Sequence, residues 1–278
     1  DKARKMSCKA WYKSMTKYVD NVHSYDFERP SLEGQNQLFR QVVAENPEKY
    51  LNLLDNIVAD NNILLCYAES GVRGLLDAKK YVEANRIFDN IVKVINNNAN
   101  SEYRGFGIHS FLFVIDDFLR GDYMPKNVFD FLCNVVLNVK ESERKAEDVK
   151  EKDIYNTAIN QARGHAAYML VECYRFRKYQ DAIFETLENI ASTASVYTRS
   201  AILLNMALLN HLDQQRNVLL FKMLLHDYDE RLLAMPIHNY NPLVYFVNYA
   251  VDDILDVFVH AIDKPWCYKE QVIILWLA

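Results

Sequence analysis

Apolar residues recur along this chain three and four positions apart, the period of an amphipathic helix, in one segment after another. The pattern predicts a first helix over residues 3 to 23, with Trp11, Met15, Tyr18 and Val22 on one face and Lys9, Lys13 and Lys17 on another. Ser31 and Glu33 open a second helix that runs to about Ala44. Pro47 starts a third at its first position, where a missing N–H costs nothing, and Asp60-Asn61-Asn62 ends it. Further helices are expected from Ile63 to Leu76, from Glu83 to Ile95, over 102 to 120, and from Asn127 to Val139. Asn96-Asn97-Asn98 and Gly121-Asp122-Tyr123-Met124-Pro125 separate them.

Lys140 to Lys152 is a run of charge without an apolar stripe, so it reads as an exposed connection. It divides the chain into an irregular helical-hairpin region, 1–150, and a more regular region, 151–278. Past it the pattern predicts one long helix from Asp153 to Phe176, then Tyr179 to Ala191, Tyr197 to Leu212 and Gln214 to His226. Asp229 to Met235, Asn241 to Tyr249 and Asp252 to Ile262 follow as a less regular unit, and Pro265 opens a further helix.

The second region repeats itself. With Arg163 set against Arg199, Leu170 falls on Met206, Cys173 on Leu209, Ile183 on Leu219 and Leu187 on Met223, apolar residues at matching heights. A repeat one helical hairpin long is the mark of stacked hairpins that bury their faces on their neighbours. The expected fold is therefore all-α, an α-solenoid of antiparallel helical hairpins with HEAT-like repeats. Arg163 and Arg199 are the structural repeat arginines: their stems lie along apolar neighbours, and their heads bond loop carbonyls or an acid of the next repeat.

Composition agrees. Only seven glycines and six prolines occur in 278 residues, too few for the turns of an all-β chain. The net charge of -5 argues against a protein that grips nucleic acid through a basic surface. The basic face of the first helix reads as a solvated face rather than a membrane contact. Five scattered cysteines form no disulfide framework and point to a reducing, cytoplasmic setting. No signal peptide and no apolar run long enough for a bilayer is visible. The chain opens on Asp1 and stops within an apolar segment, which suggests a piece of a larger polypeptide with further sequence upstream.

Catalytic and metal signatures are missing from the sequence. There is no phosphate-binding Gly-Lys-Ser/Thr loop, no Cys-x-x-Cys and no His-Glu-x-x-His, so no cofactor and no metal is expected. The short pairs Gly71/Gly74 and Gly105/Gly107 read as close helix contacts or loops. Asp252, Asp256 and His260 align along one helix but read as a solvated face, with Val251, Ile254, Leu255 and Phe258 as the buried stripe. Asp116 and Asp117 point apart on a helix and cannot share a proton. What remains is surface. His165, next to Arg163, and the turn residues Tyr123 and Tyr240 are the candidate partner contacts, because exposed aromatics anchor protein interfaces.

Asn160-Gln161-Ala162-Arg163-Gly164-His165-Ala166-Ala167-Tyr168-Met169-Leu170 resembles the opening of the C-terminal helical arrays of bacterial antiviral STAND, NACHT-like NTPases. The likeness continues through Val196 to Ala201, Leu219 to Leu224, Arg231 to Met235, Tyr245 to Ala250 and Phe258 to Ile262, so it covers roughly 153 to 278. The resemblance implies a sensor arm that recognises a phage protein and releases an NTPase encoded elsewhere in the polypeptide. No Walker motif is present, so no nucleotide function carries over. The expectation is a non-catalytic protein-recognition solenoid. The alternatives are a generic HEAT-type scaffold and a HEAT-like enzyme acting on DNA.

Overall fold

The computed structural model describes residues 2–17, 31–97, 107–141, 154–227, 229, 232, 246 and 250–262. All regular structure among them is helical. The chain forms two compact units, Asp1–Phe129 and Asp130–Ala278, and the division falls inside a helix upstream of the charged run.

In the first unit, α1 (Lys2–Lys5) and α2 (Cys8–Met15) replace the single helix expected over 3 to 23. Ser7 breaks it: its hydroxyl accepts from the Ala10 amide and caps α2. Trp11 and Met15 are buried, while Lys9, Lys13 and Lys17 face solvent. Next come α3 (Leu32–Glu45), capped by Ser31, and α4 (Pro47–Ala59), with Pro47 at the first position as its chemistry favours. They are followed by α5 (Leu65–Asp77), α6 (Tyr81–Asn97) and α7 (Ile108–Arg120). The helix α8 (Lys126–Asn138) carries the division between units.

Two layers organise this unit. Helix α5 lies between α3 and α7, and α4 between α2 and α6, while sequence neighbours such as α5 and α6 pair across. Phe88 of α6 stacks on Phe111 at 4.7 Å and meets Phe118 edge-on at 5.7 Å, both on α7. The helices α3 and α5 pack closely at Gly74. A Cβ there would sit 2.5 Å from the Arg40 carbonyl oxygen and 2.9 Å from Val43 Cβ. Two helix ends close alike. Lys79 (φ 58) and Asp122 (φ 51) take the left-handed conformation just past α5 and α7. The Lys80 amide then bonds the Leu75 carbonyl at 2.8 Å, and the Tyr123 amide the Phe118 carbonyl at 3.1 Å.

In the second unit, α9 (Ile154–Ile159) and α10 (Ala162–Glu172) replace the long helix expected from Asp153 to Phe176. Gln161 is extended at the break, and the Asn160 side chain donates to the Asn156 carbonyl, competing with the helical ladder. Gly164 lets the start of α10 come against α9, since a Cβ would run into the Ala158 carbonyl oxygen. Two short 3-10 turns lead to α11 (Gln180–Ala191). The helix α12 (Val196–Asn205) continues as 3-10 turns to His211, and α13 (Gln214–Leu224) follows, capped by Asp213. Here α10 lies against α12, and α11 against α13. The last described helix is α14 (Val251–Ile262).

The expected repeat register holds in the first helix of each hairpin, where Leu170, Met206, Cys173 and Leu209 are all buried. It fails in the second: Leu219 is 60% exposed. Of the five buried residues of α13, Leu220, Phe221 and Leu224 answer Ile183, Phe184 and Leu187 of α11 one position later. The turn of the second hairpin is thus one residue longer.

Replacing Gly74 by alanine should cost about 2–4 kcal/mol, because both obstructing atoms belong to backbone or a branched Cβ that cannot rotate away. Gly107→Ala, where the nearest atom is 4.0 Å away, should change stability little. Urea midpoints of the two variants check this contrast.

Candidate functional site

Helix α5 is buried nearly all round by Leu65, Tyr67, Ala68, Val72, Leu75 and Leu76, so its polar residues must be accommodated inside the layer. Two neighbours supply partners. Arg40 of α3 makes a two-pronged pair with Asp77, at 2.6 and 2.7 Å, at the end of α5. Arg73 of α5 donates to Asp117 of α7 at 2.6 Å, and Arg40 reaches the same carboxylate at 3.3 Å. Asp117 is only 8% exposed, so both guanidinium groups are needed to offset its desolvation. Asp116 turns away to Arg120, as the helical geometry requires. The other layer is stapled likewise: Arg86 of α6 grips Asp55 of α4.

Between α3, α5 and α7 lies a cleft of about 690 Å³, lined by residues that include Asn36, Gln37, Arg40, Cys66, Glu69 and Arg73. At its floor Glu69 is 8% exposed. Burial, aided by the nearby Asp117 charge and only partly opposed by Arg73, pushes its carboxyl up to about 8. Burial also raises the Cys66 thiol to about 11, so it stays protonated and unreactive. A second hollow, about 880 Å³, lies between α2 and α4 and is lined by Lys9, Lys49, Asn52, Asn56 and Asn62. There the Tyr12 hydroxyl donates to Asp60.

The second unit shows what the repeat arginines do. Arg199 donates to the Leu224 carbonyl at 2.9 Å, closing the last turn of α13, and holds Asp227 through two bonds of 2.8 Å. The pairing holds the Asp227 carboxyl down to about 2. Arg163 donates to the Val136 carbonyl at 2.8 Å near the end of α8, and to Glu141 at 3.4 Å. Each arginine thus serves a helix end and an acid, but Arg199 reaches forward along the sequence and Arg163 backward. Glu141 was expected to be a solvated member of the charged run. It is instead mostly buried and accepts from the Ser195 amide at 3.1 Å and the Thr198 hydroxyl at 2.6 Å at the start of α12. The remainder of the run, from 142, lies outside the described residues.

The candidate contacts fare differently. Tyr123 stacks on Tyr81 at 5.0 Å in the first unit, beside Gly121, where a Cβ would meet the Tyr81 ring at 2.9 Å. It is a half-buried corner residue more than a free anchor. His165 is half-buried on α10 in the second unit. Tyr240 lies outside the described residues. Along α14, Asp252, Asp256 and His260 are exposed. So are Val251 and Leu255, at 50% and 37%, against the expected buried stripe; the side chains of Ile254 and Phe258 lie outside the described set. Among the described residues no three His, Cys, Asp or Glu side chains gather to hold a metal, and no helix is long and apolar enough to cross a membrane.

Sequence reading passed over Glu69, Arg40 and Arg73, and weighed Asp117 only as half of an acid pair with Asp116. A signal existed: an acid set four residues before an arginine in a helix whose other residues are small or apolar has little solvent to face.

Two predictions follow from these environments. Glu69 binds its proton in the folded chain at pH values where the unfolded chain, with an ordinary value near 4.5, has lost it. Its contribution is complete below pH 4.5 and disappears as pH rises towards 8, a loss on the order of 4 kcal/mol. Urea midpoints of the natural chain should therefore fall between pH 6 and 8.5, and those of Glu69→Gln should fall distinctly less; parallel curves would refute the assignment. Arg199→Lys should lose the two-pronged pair and cost about 1–3 kcal/mol, whereas Lys222→Ala, which removes an exposed pair with Asp253, should cost under about 0.5 kcal/mol. Thermal melts of both variants test the difference.

Comparison with known families, curated proteins and solved structures finds no match to this chain.

Proposed function

We propose that the chain is a non-catalytic protein-recognition unit, an α-solenoid of antiparallel HEAT-like hairpins, acting as the sensor region of a cytoplasmic bacterial STAND-type defence NTPase that detects a phage protein. One observation carries the recognition reading. Helices α3, α5 and α7 stand side by side and together line one polar cleft with Asn36, Gln37, Gln41, Ser70 and Ser110. Amide and hydroxyl groups drawn from successive hairpins offer alternating donors and acceptors along one face, which suits the backbone and polar side chains of a protein partner. The stacking of α10 on α12 and of α11 on α13 supports the hairpin-array reading of the second unit. The defence role is supported by the resemblance of Asn160 to Leu170 and the later segments. The generic scaffold shares this geometry and differs only in lacking an upstream P-loop. The DNA-acting alternative needs a basic groove with an acid and aromatics; the cleft offers the acid, but both of its arginines are paired with aspartates and its lining holds no aromatic ring.

The test is genetic and then biochemical. The complete gene should encode an upstream P-loop, and its expression should protect a bacterial host from some phages. Escape phages should carry substitutions in one phage protein. That protein should bind this chain with micromolar or tighter affinity. Exchanging exposed Gln37 and Gln41 for arginine should weaken binding at least about tenfold with an unchanged urea midpoint. A gene with no P-loop and no protection would overturn the defence role; a bound partner indifferent to both exchanges would overturn the choice of face.

A further inference from the structure

The cleft on α3, α5 and α7 contains two acceptors that the fold leaves unfilled. Glu69 takes no hydrogen bond and no salt bridge among the described residues, although it is more than nine-tenths buried and lines the cleft. Asn36 Oδ1 is buried and likewise accepts nothing. The two belong together: the Asn36 amide bonds Cys66, one helical turn before Glu69 on α5. The charges bearing on this spot are Arg73 and Asp117, with Arg40, Asp77 and Glu33 along the walls. Both arginines are bound to aspartates, so neither supplies Glu69 with a donor. Three acids, Asp117, Asp77 and Glu33, stand against two bases around Glu69, and α4 and α6 add no charge among the groups that act on it. A guest that carries N–H donors and positive charge suits such a site.

We propose that this cleft receives a cationic side chain, arginine or lysine, of the protein partner, with the Glu69 carboxylate as its acceptor. The inference rests on the protein-recognition reading and specifies where that recognition is anchored. Its volume of about 690 Å³ admits a long side chain with adjoining backbone. In the free chain, burial and Asp117 keep Glu69 protonated near neutrality against the pull of Arg73. An entering cation reverses that balance; the carboxyl gives its proton to solvent and binds as the carboxylate. Binding at pH 7 therefore releases close to one proton per site and tightens as pH rises towards 8.

The experiment is calorimetry of the full chain with capped arginine and lysine dipeptides, their citrulline and norleucine counterparts, and spermidine. The cationic peptides should bind at least about tenfold more tightly than the neutral ones. Their heats, measured in buffers of different ionisation enthalpy, should report nearly one proton released. Glu69→Gln should weaken the cationic peptides about tenfold and abolish the release. In the natural chain, the NMR titration midpoint of the Glu69 carboxyl carbon should fall when the arginine peptide is added. Equal binding of neutral peptides, no proton release, or an unaffected Glu69→Gln variant would overturn the proposal. Spermidine binding more tightly than either peptide would overturn the protein source of the cation. A whole partner that binds Glu69→Gln as well as the natural chain would remove this anchor and leave protein recognition standing; arginine-selective binding by a chain that takes no partner protein would do the reverse.

Discussion

Asp117 is the constraint on which the first unit turns. A carboxylate this deeply placed is costly, and it persists because Arg73 from α5 and Arg40 from α3 both reach it. Three helices are thereby tied to one point. Removing either arginine would leave charge in the layer without its partner, so the network fixes the lateral order of α3, α5 and α7 more than it adds net stability. The same aspartate also shapes the chemistry of the cleft, because its field adds to burial in holding the proton on Glu69.

Arginine serves in two ways, as a staple in both units and as a helix-end cap in the second. Between helices of one layer it forms staples, Arg40 to Asp77, Arg86 to Asp55 and Arg216 to Glu188. At helix ends it caps: Arg199 and Arg163 satisfy carbonyls that the helix itself cannot pair. The planar, always charged head serves both tasks because it can hold a carboxylate and a carbonyl at once. Glu141 is the acidic counterpart, satisfying the first amide, a hydroxyl and an arginine around the start of α12.

Helical class and most helix boundaries were legible because period and punctuation agree: Ser31, Pro47, Asp60 and the Gly121 turn all mark real ends. The breaks at Ser7 and Gln161 were not, since the apolar stripe runs across both and only local side-chain bonds interrupt it. The matched burial of Leu170 with Met206 and of Cys173 with Leu209 was legible, and the matching was misread in α13, where one extra turn residue moves every later side chain by a position. The candidate site was largely hidden. Its members are ordinary helix residues in sequence, and what singles them out is the neighbouring helix that removes their water, a long-range fact. Arg163 and Arg199 stood out because an early arginine ahead of an apolar face already asks where its charge goes.

The near-contact at Gly74 also limits how this chain can diverge. Val43 and the Arg40 carbonyl occupy the space any larger residue would need, and Leu54 stands as close to Gly71. Position 74 therefore has to stay glycine for as long as the two helices keep this spacing, since no exchange at 43 removes the Arg40 carbonyl, while Leu219 can change without consulting any neighbour across the interface. Among relatives, glycine should thus persist at this crossing long after the exposed faces have lost all likeness.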